Sequence, residues 1–379
     1  MTIEEAIAKF LVYEHTTPRR HSSSKRVGKA APATMRGYRG LLGNVVVEDG
    51  SVVVKHLGRL LAWRNSVVPR PVYISDLTAT LVDDFRASWN APAKGIPSSA
   101  PFGDLMTWVS FKRLKTFFEY CKTRGKWISE NPLDGIALPT TADGYRTAPF
   151  TKEQYSSILS AVENRYPAEI KNPEDQKQYN DAHRLRAFIE LMRWGGMAVA
   201  DAVQFRLSSV KANGHVTFRR VKTGEEAEPT LPNRVVALLK EIVPIDADPD
   251  RPFYDKDILP ESNRDRWSGW AKEIFTEAGI LTVTTAVRDR EPHLHMMRDT
   301  FVVNQIRVQK GLGIVDLDSI AKAIGDSVAT LRKHYAPWVK ELEDAHRDSQ
   351  QRIVDAQMQE ETDAETREPK VVNISGGRK

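Results

Sequence analysis

Cysteine is almost absent from this chain: Cys121 is the single one in 379 residues. No disulfide can form within it, which fits a reducing cytoplasm rather than a secreted, disulfide-stapled scaffold. There is no long apolar run and no signal-peptide pattern, so neither a membrane span nor secretion is expected. No Walker loop is present, which argues against work driven by nucleotide hydrolysis. His293 and His295 are near each other, but cysteines and carboxylates at ligand spacing are missing around them. No metal and no cofactor is therefore expected. Acidic residues are missing from one whole stretch, 17–39, which carries Arg19, Arg20, Lys25, Arg26, Lys29, Arg36 and Arg39.

What is present is the composition of an ordinary soluble protein, 41% hydrophobic and 28% charged, enough to build real cores. The length suits two domains with room for a tail. A net charge of +5 permits nucleic-acid binding, so the clustering of cations matters more than their sum. In 17–39, serine, glycine and proline dilute the cations into a loop. Two readings stand there: a solvated connector, or an arm that grips phosphates.

Apolar spacing predicts helices over residues 2–15, 32–47, 52–67, 74–89 and 105–124. Thr2 and Glu5 form a capping box for the first, and Ser75-Asp76 reads as the N-cap of the fourth. The fifth carries Trp108, Phe111, Leu114, Phe117, Phe118 and Cys121 as a core stripe. Its exposed face holds Lys112, Arg113, Lys115 and Lys122, a face able to meet DNA. Residues 90–101 and 138–150 are rich in turn formers and read as a loop and a linker. Beyond the linker a helix starts at Thr151, and residues 164–181 read as a partly exposed loop. Residues 185–202 read as helix, turn and helix start. A β-hairpin or three short strands are expected over 214–232, turning at Thr223-Gly224 with Lys222 at the tip. Helices follow over 234–241 and 263–278, from His295 to 309, and over 314–323, 327–334 and 340–358. Residues 359–379 are charged and poor in apolar groups, and are expected to be disordered alone.

The chemistry concentrates late in the chain. His295 and Arg298 open a helix, and Tyr335 follows 37 residues after Arg298, set among Arg332, Lys333 and His334. A guanidinium holds phosphate oxygens with paired N–H donors. A histidine moves a proton near neutral pH. A tyrosine hydroxyl can be the nucleophile that takes a phosphoryl group. Singly, each has a plainer reading: core histidine, surface charge, packing tyrosine before Pro337-Trp338, solubilising lysine at a hairpin tip.

Jointly and in order, these residues resemble the catalytic half of the tyrosine recombinases (phage integrase family). That family has a His-x-x-Arg box, matched by His295-Met296-Met297-Arg298. It has a Leu-Gly-His-like element, matched by Ile324-Gly325-Asp326, and a tyrosine nine residues on, matched by Tyr335. Lys222-Thr223-Gly224 matches the family's β-turn lysine. The helical first part, ending in the segment that closes with Asn131-Pro132, resembles the family's core-binding domain, which clamps one side of the duplex. The resemblance implies a mostly α, two-domain protein. A helical SAM-like core-binding domain at 1–140 and a linker at 141–150 precede an α+β catalytic domain with a small antiparallel sheet at 151–358. A flexible tail at 359–379 follows.

The resemblance also implies chemistry. Tyr335 attacks a scissile phosphate to form a 3′-phosphotyrosyl link, Arg298 neutralises nonbridging oxygens, Lys222 protonates the 5′ leaving oxygen and His295 assists proton transfer. Two positions depart from the pattern. The first catalytic arginine falls at Ala198, in Gly195-Gly196-Met197-Ala198 with Asp201 as the acidic residue three places on. The family His/Trp falls at Asp326, a carboxylate unhelpful beside a phosphate. Losing one preorganised donor to the transition state costs roughly 10²–10³ in rate. Arg193 and Arg206 are offset on the helix and point elsewhere. Either the alanine is an introduced substitution or the chain is a naturally degenerate relative; the kept Gly-Met-Ala-Val-Ala-Asp pattern favours the first. The expected partners are a double-stranded recombination site and three further copies, a homotetramer on two duplexes, in a prokaryotic cytoplasm at the nucleoid, with no membrane. The alternative is a DNA-binding relative that organises DNA without cutting it.

Overall fold

A computed structural model of the chain describes residues 1–16, 19–20, 27–28, 32–96, 99–137, 147–246, 248–285 and 289–366. It is mostly helical with small antiparallel sheets, and divides into two compact units, Met1–Asp143 and Gly144–Lys379.

In the first unit, α1 (Ile3–Thr16) begins with the expected capping box: Thr2 N donates to Glu5 Oε2 at 2.8 Å and Glu5 N to Thr2 Oγ1 at 3.2 Å. The basic stretch after it contains a two-residue pair, β1 (Arg19–Arg20) with β2 (Val27–Gly28). Lys25, Arg26 and Lys29 lie outside the described residues. α2 (Pro32–Leu42) buries Met35, Tyr38, Leu41 and Leu42.

The helices predicted over 32–47 and 52–67 are corrected here. Between them the chain forms an antiparallel hairpin, β3 (Gly43–Glu48) and β4 (Ser51–Leu57), with Val45, Val46 and Val47 opposite Val54, Val53 and Val52. β-branched side chains favour the pleated surface over a helix. Asp49 and Gly50 both take positive φ, +50° and +76°, the backbone a two-residue hairpin turn requires. Leucine spacing suggested a longer helix, but only α3 (Arg59–Arg64) forms. The predicted helix at 74–89 is also shorter. Ser75-Asp76 lies in a 3₁₀ turn, and α4 (Ala79–Ala87) starts after Thr78, whose hydroxyl accepts from Leu81 N. α5 (Asp104–Thr123) is the helix read from sequence, with Phe111, Leu114, Phe117, Phe118 and Cys121 fully enclosed. Phe10 meets Tyr38 and Phe117 edge-on at 4.9 and 5.3 Å, joining α1, α2 and α5 in one core.

The second unit opens with α6 (Lys152–Glu163), capped reciprocally by Thr151 and Gln154. α7 (Pro173–Gly195) takes over much of the stretch read as a loop. Asn172 caps it through the Glu174 and Asp175 N–H groups, and Pro173 sits in the first turn where no N–H is needed. Its early turns are polar because they face solvent, which hides the helical period. α8 (Val199–Val203) follows the Gly196 turn. The hairpin of residues 210–230 is held by β5 (Phe218–Arg219) against β6 (Glu226–Ala227) and by isolated bridges Val210↔Val216 and His215↔Thr230. Then come α9 (Asn233–Glu241), α10 (Pro260–Glu277), the pair β7 (Val283–Thr284) and β8 (Asp289–Arg290), α11 (His295–Leu312), α12 (Leu317–Ile324), α13 (Val328–His334) and α14 (Ala336–Thr366). α14 runs past residue 358, where the tail was expected to begin, because its residues are mostly strong helix formers.

This unit has two apolar clusters. The larger stacks Phe188 on Trp267 at 4.2 Å and includes Met296 and Met297. The smaller gathers Phe301, Val302, Ile306, Ile324, Leu331, Tyr335 and Leu342. α11 enters the first with its opening turn and the second with its later turns. Arg298 lies at the seam.

Candidate active site

Arg298 is a charged residue in a place where charge is costly. It is 2% exposed, and burial, followed by the nearby Arg220, pulls its pKa down. Its guanidinium is satisfied by the ends of two helices. NH1 donates to Gly196 O at 2.6 Å and Ile324 O at 3.1 Å, and NH2 to Ile324 O at 3.1 Å. Both carbonyls are orphan acceptors at helix C-termini, where the helix dipole is negative. NH2 also donates to Asp326 Oδ2 at 2.9 Å. The carbonyl contacts are fixed by backbone, whereas the Asp326 side chain is 25% exposed and faces the solvent side.

Asp326 is held by a helix-ending turn: its N–H reaches back to Ala321 O at 2.9 Å and Gly325 takes φ +62°. A second guanidinium converges on the same carboxylate oxygen. Arg220, 8% exposed, donates through NH1 to Asp326 Oδ2 at 3.2 Å and to Gly325 O at 2.9 Å. Its Nε lies 3.7 Å from Asp201 Oδ2, while Asp201 Oδ1 accepts from Val221 N at 2.7 Å. Burial pushes the Asp201 carboxyl up, against the opposing pull of that N–H and of Arg220. Gly325 is required twice. Its φ is left-handed, and a Cβ there would lie 2.7 Å from Arg220 Cδ.

Arg220 escaped the sequence reading. Its place two residues before Lys222, where β5 gives way to the hairpin turn, carries no periodicity that would single it out. Lys222 is exposed at the hairpin turn beside it. His295 sits in a recess, crowded by protein on most sides but with an open face to solvent. That crowding, then the charges of Arg298, Arg220 and Lys222, hold its pKa down to about 4. The three cations add to the effect of burial, and the imidazole is neutral at pH 7.

Tyr335 is 5% exposed, and its hydroxyl donates to Asp299 Oδ1 at 2.9 Å. Burial and the Asp299 charge raise the phenol well above its usual range. Burial likewise raises Asp299. The last residues of the stretch read as a linker brace this end: Thr147 Oγ1 donates to His334 O at 2.7 Å, and Phe150 N donates to Thr300 Oγ1 at 2.8 Å. Ala198 is half-buried at the N-cap of α8, three residues before Asp201. Arg193 is buried beside Tyr155 and Trp194, and Arg206 pairs with Asp250 at 2.9 Å. Neither contacts the Arg298–Asp326 cluster.

Of the surface cations, Arg36 and Arg39 are exposed on α2, and Lys112 is exposed with its Nζ 3.8 Å from the Trp108 ring centroid. Arg113 is half-buried, not free on the helix face: its guanidinium packs over Gly37, where a Cβ would meet it at 2.1 Å. Lys115 is also half-buried, lining a recess of about 400 Å³ with Glu119 and Tyr120.

No family model matches the chain, and no curated protein matches it. Solved structures do. A XerH site-specific recombinase on a palindromic difH substrate, in a post-cleavage complex, is 15% identical with a TM-score of 0.59, covering 90% of this chain and 94% of that one. A lambda integrase dimer bound to a COC′ core site is 12% identical with a TM-score of 0.56, covering 88% and 78%. The Tn1549 transposon integrase with transposon right-end DNA is 13% identical with a TM-score of 0.54, covering 93% and 100%. At this identity the likeness establishes the fold, which is the tyrosine-recombinase fold.

Proposed function

We propose, from a fold shared with tyrosine recombinases, that the protein cleaves and rejoins duplex DNA at specific sites through a 3′-phosphotyrosyl intermediate. The observation that carries this is Arg298: a nearly enclosed guanidinium fixed by two helix-end carbonyls, with one contact, to the solvent-side Asp326, free to exchange for a phosphate oxygen. His295 lies one helical turn away on the same helix, and Tyr335 is among the charges that act on Arg298.

In the proposed step, Tyr335 Oη bonds to the scissile phosphorus as the P–O5′ bond breaks. The phenolic proton passes to Asp299, its hydrogen-bond acceptor. The 5′ oxygen leaves with a proton from Lys222 Nζ, and neutral His295 hydrogen-bonds the phosphoryl group. Attack by a 5′-hydroxyl on the phosphotyrosine reverses each transfer and reseals a strand. The phosphotyrosine conserves the bond energy, so the scheme uses no cofactor. Asp299 also defines what must move, because the phenol oxygen, once its proton is on that carboxylate, has to swing away from it to reach the phosphorus. Arg36, Arg39 and Lys112 are exposed cations suited to the duplex backbone, and the acid-free stretch around Arg19 and Arg20 adds to them. Assembly into a homotetramer on two duplexes belongs to this reading.

A second reading has specific support. With Ala198 at the first arginine position and the Tyr335 hydroxyl held by Asp299, the fold would bind and organise DNA without cutting it. The test starts from duplexes selected from a random pool by binding to the protein, then nicked beside each candidate scissile phosphate. A covalent protein–DNA band that vanishes in Tyr335→Phe supports cleavage. Sequence-specific binding with no such band, even after Ala198→Arg, supports the organising role.

A further inference from the structure

Two guanidinium groups meet at one carboxylate oxygen. Arg298 NH2 and Arg220 NH1 lie 2.9 and 3.2 Å from Asp326 Oδ2. We infer that Arg220 supplies the second phosphate-binding guanidinium that Ala198 lacks, and that Asp326 fills this oxyanion seat until DNA displaces it. The inference rests on the cleavage reading above.

The plain alternative is that Arg220 is a strut, tying the hairpin to α12 through the Gly325 carbonyl at 2.9 Å. Three features go beyond a strut. Asp201, buried three residues past Ala198, flanks the Arg220 Nε at 3.7 Å and anchors the hairpin through Val221 N at 2.7 Å. A guanidinium delivered from the hairpin is thereby held next to the turn where the motif expects one from α8. The Arg220 stem crosses Gly325, where a Cβ would lie 2.7 Å from Cδ, so the close approach needs a residue without a side chain. Finally, the other contacts of the two arginines are backbone carbonyls and the buried Asp201 carboxylate, and Asp326 is their one partner with a rotatable, 25% exposed side chain. A phosphodiester oxygen presents the same geometry and charge to the two N–H donors that this carboxylate oxygen does. Exchange leaves the net charge of the seat unchanged if Asp326 turns to solvent.

The first experiment uses the nicked duplex. Arg220→Gln is expected to slow formation of the Tyr335 adduct roughly 10²–10³-fold, the loss typical of one preorganised oxyanion donor. Adding Ala198→Arg to Arg220→Gln should recover much of that rate, which repair of a lost strut would not do. Arg220→Lys, which keeps the charge and serves as the folding control by thermal melt, should fall between. A folded Arg220→Gln that forms adduct at the wild-type rate overturns the proposal, and so does a slow one that Ala198→Arg leaves unrescued.

The second experiment needs no cleavage. Inorganic phosphate is titrated into the full chain while arginine side-chain resonances are followed by NMR. Arg220 and Arg298 should shift together, and Asp326→Asn should bind phosphate roughly tenfold tighter, the size of one charge-assisted hydrogen bond removed from competition. Shifts at Arg298 alone, or no gain in Asp326→Asn, overturn the seat. If neither wild type nor Ala198→Arg forms an adduct on any nicked duplex, the cleavage reading fails, while this titration still decides whether the two arginines share an anion.

Discussion

The two ends of the site are built on opposite terms. At the anion end, Arg298 and Arg220 are held by carbonyls of Gly196, Ile324 and Gly325, which belong to helix termini and cannot swing away. At the end of the proposed nucleophile, Tyr335 is held by a side chain, Asp299, that is itself buried. The first end is ready for an oxyanion after one solvent-side carboxylate rotates. The second is locked until a buried hydrogen bond breaks. On the proposed cleavage reading, charge stabilisation is set by folding, whereas the attacking group has to be released, which puts the controlled step at Tyr335.

The largest expected effect comes from dismantling the rigid end. Arg298→Ala leaves helix-end carbonyls and Asp326 without their buried donor and should cost about 3–5 kcal/mol of stability, read by urea unfolding. A cost near that of an ordinary surface substitution would mean the carbonyls find other donors and the end is not rigid. Gly325→Ala forces a side chain into a left-handed backbone and against the Arg220 stem. It should cost about 1–3 kcal/mol and weaken phosphate binding with it. Loss of stability without loss of binding would separate Arg220 from the seat.

At the locked end, Tyr335→Phe removes the donor to Asp299 and should cost about 1–2 kcal/mol in the same unfolding experiment, less than Arg298→Ala. An equal or larger cost would reverse the comparison. The smallest effect is a pH dependence, because the exposed face of His295 lets solvent screen the charges around it. His295 is depressed from 6.5 to about 4, so on acidification the unfolded chain takes up its proton first. Its contribution to stability is full above pH 6.5 and is lost as pH falls toward 4. Asp201 and Asp299, raised by burial, act in the opposite sense at lower pH. His295→Asn should flatten the upper part of the acid limb, and a titration of His295 by NMR should show its midpoint rising when phosphate binds. An unmoved midpoint would place His295 outside the field of the seat.

Some of this was open to reading in advance. The capping box at Thr2 is a local, three-residue event, and it formed as read; the helix expected to start at Thr151 does start there. The α5 stripe formed because large apolar groups at helical spacing leave one way to hide them. The hairpin at Asp49-Gly50 departs from the helix that leucine spacing on its far side predicts, because six valines around an Asp-Gly turn favour paired strands. The early part of α7 was missed because a helix that faces water in its first turns carries no apolar period. In the site, His295, Arg298, Lys222 and Tyr335 could be singled out because their order and spacing are linear properties. The pairing of Arg220 with Asp326, 106 residues apart, is not a linear property.

The amino-acid sequence alone determined which chemical groups the molecule has to work with: a guanidinium beside an imidazole on one helix, a lone late phenol, a hairpin lysine, and alanine where an arginine was expected. Side-chain identity and spacing along one element are written locally, so they survive without coordinates. Tertiary structure decided which groups face each other. Closing the hairpin over α12 brought Arg220 to Asp326, and packing α14 on α11 turned the Tyr335 hydroxyl, at the α13–α14 junction, onto Asp299. Those contacts depend on where two cores meet, and no stretch of the chain encodes that by itself.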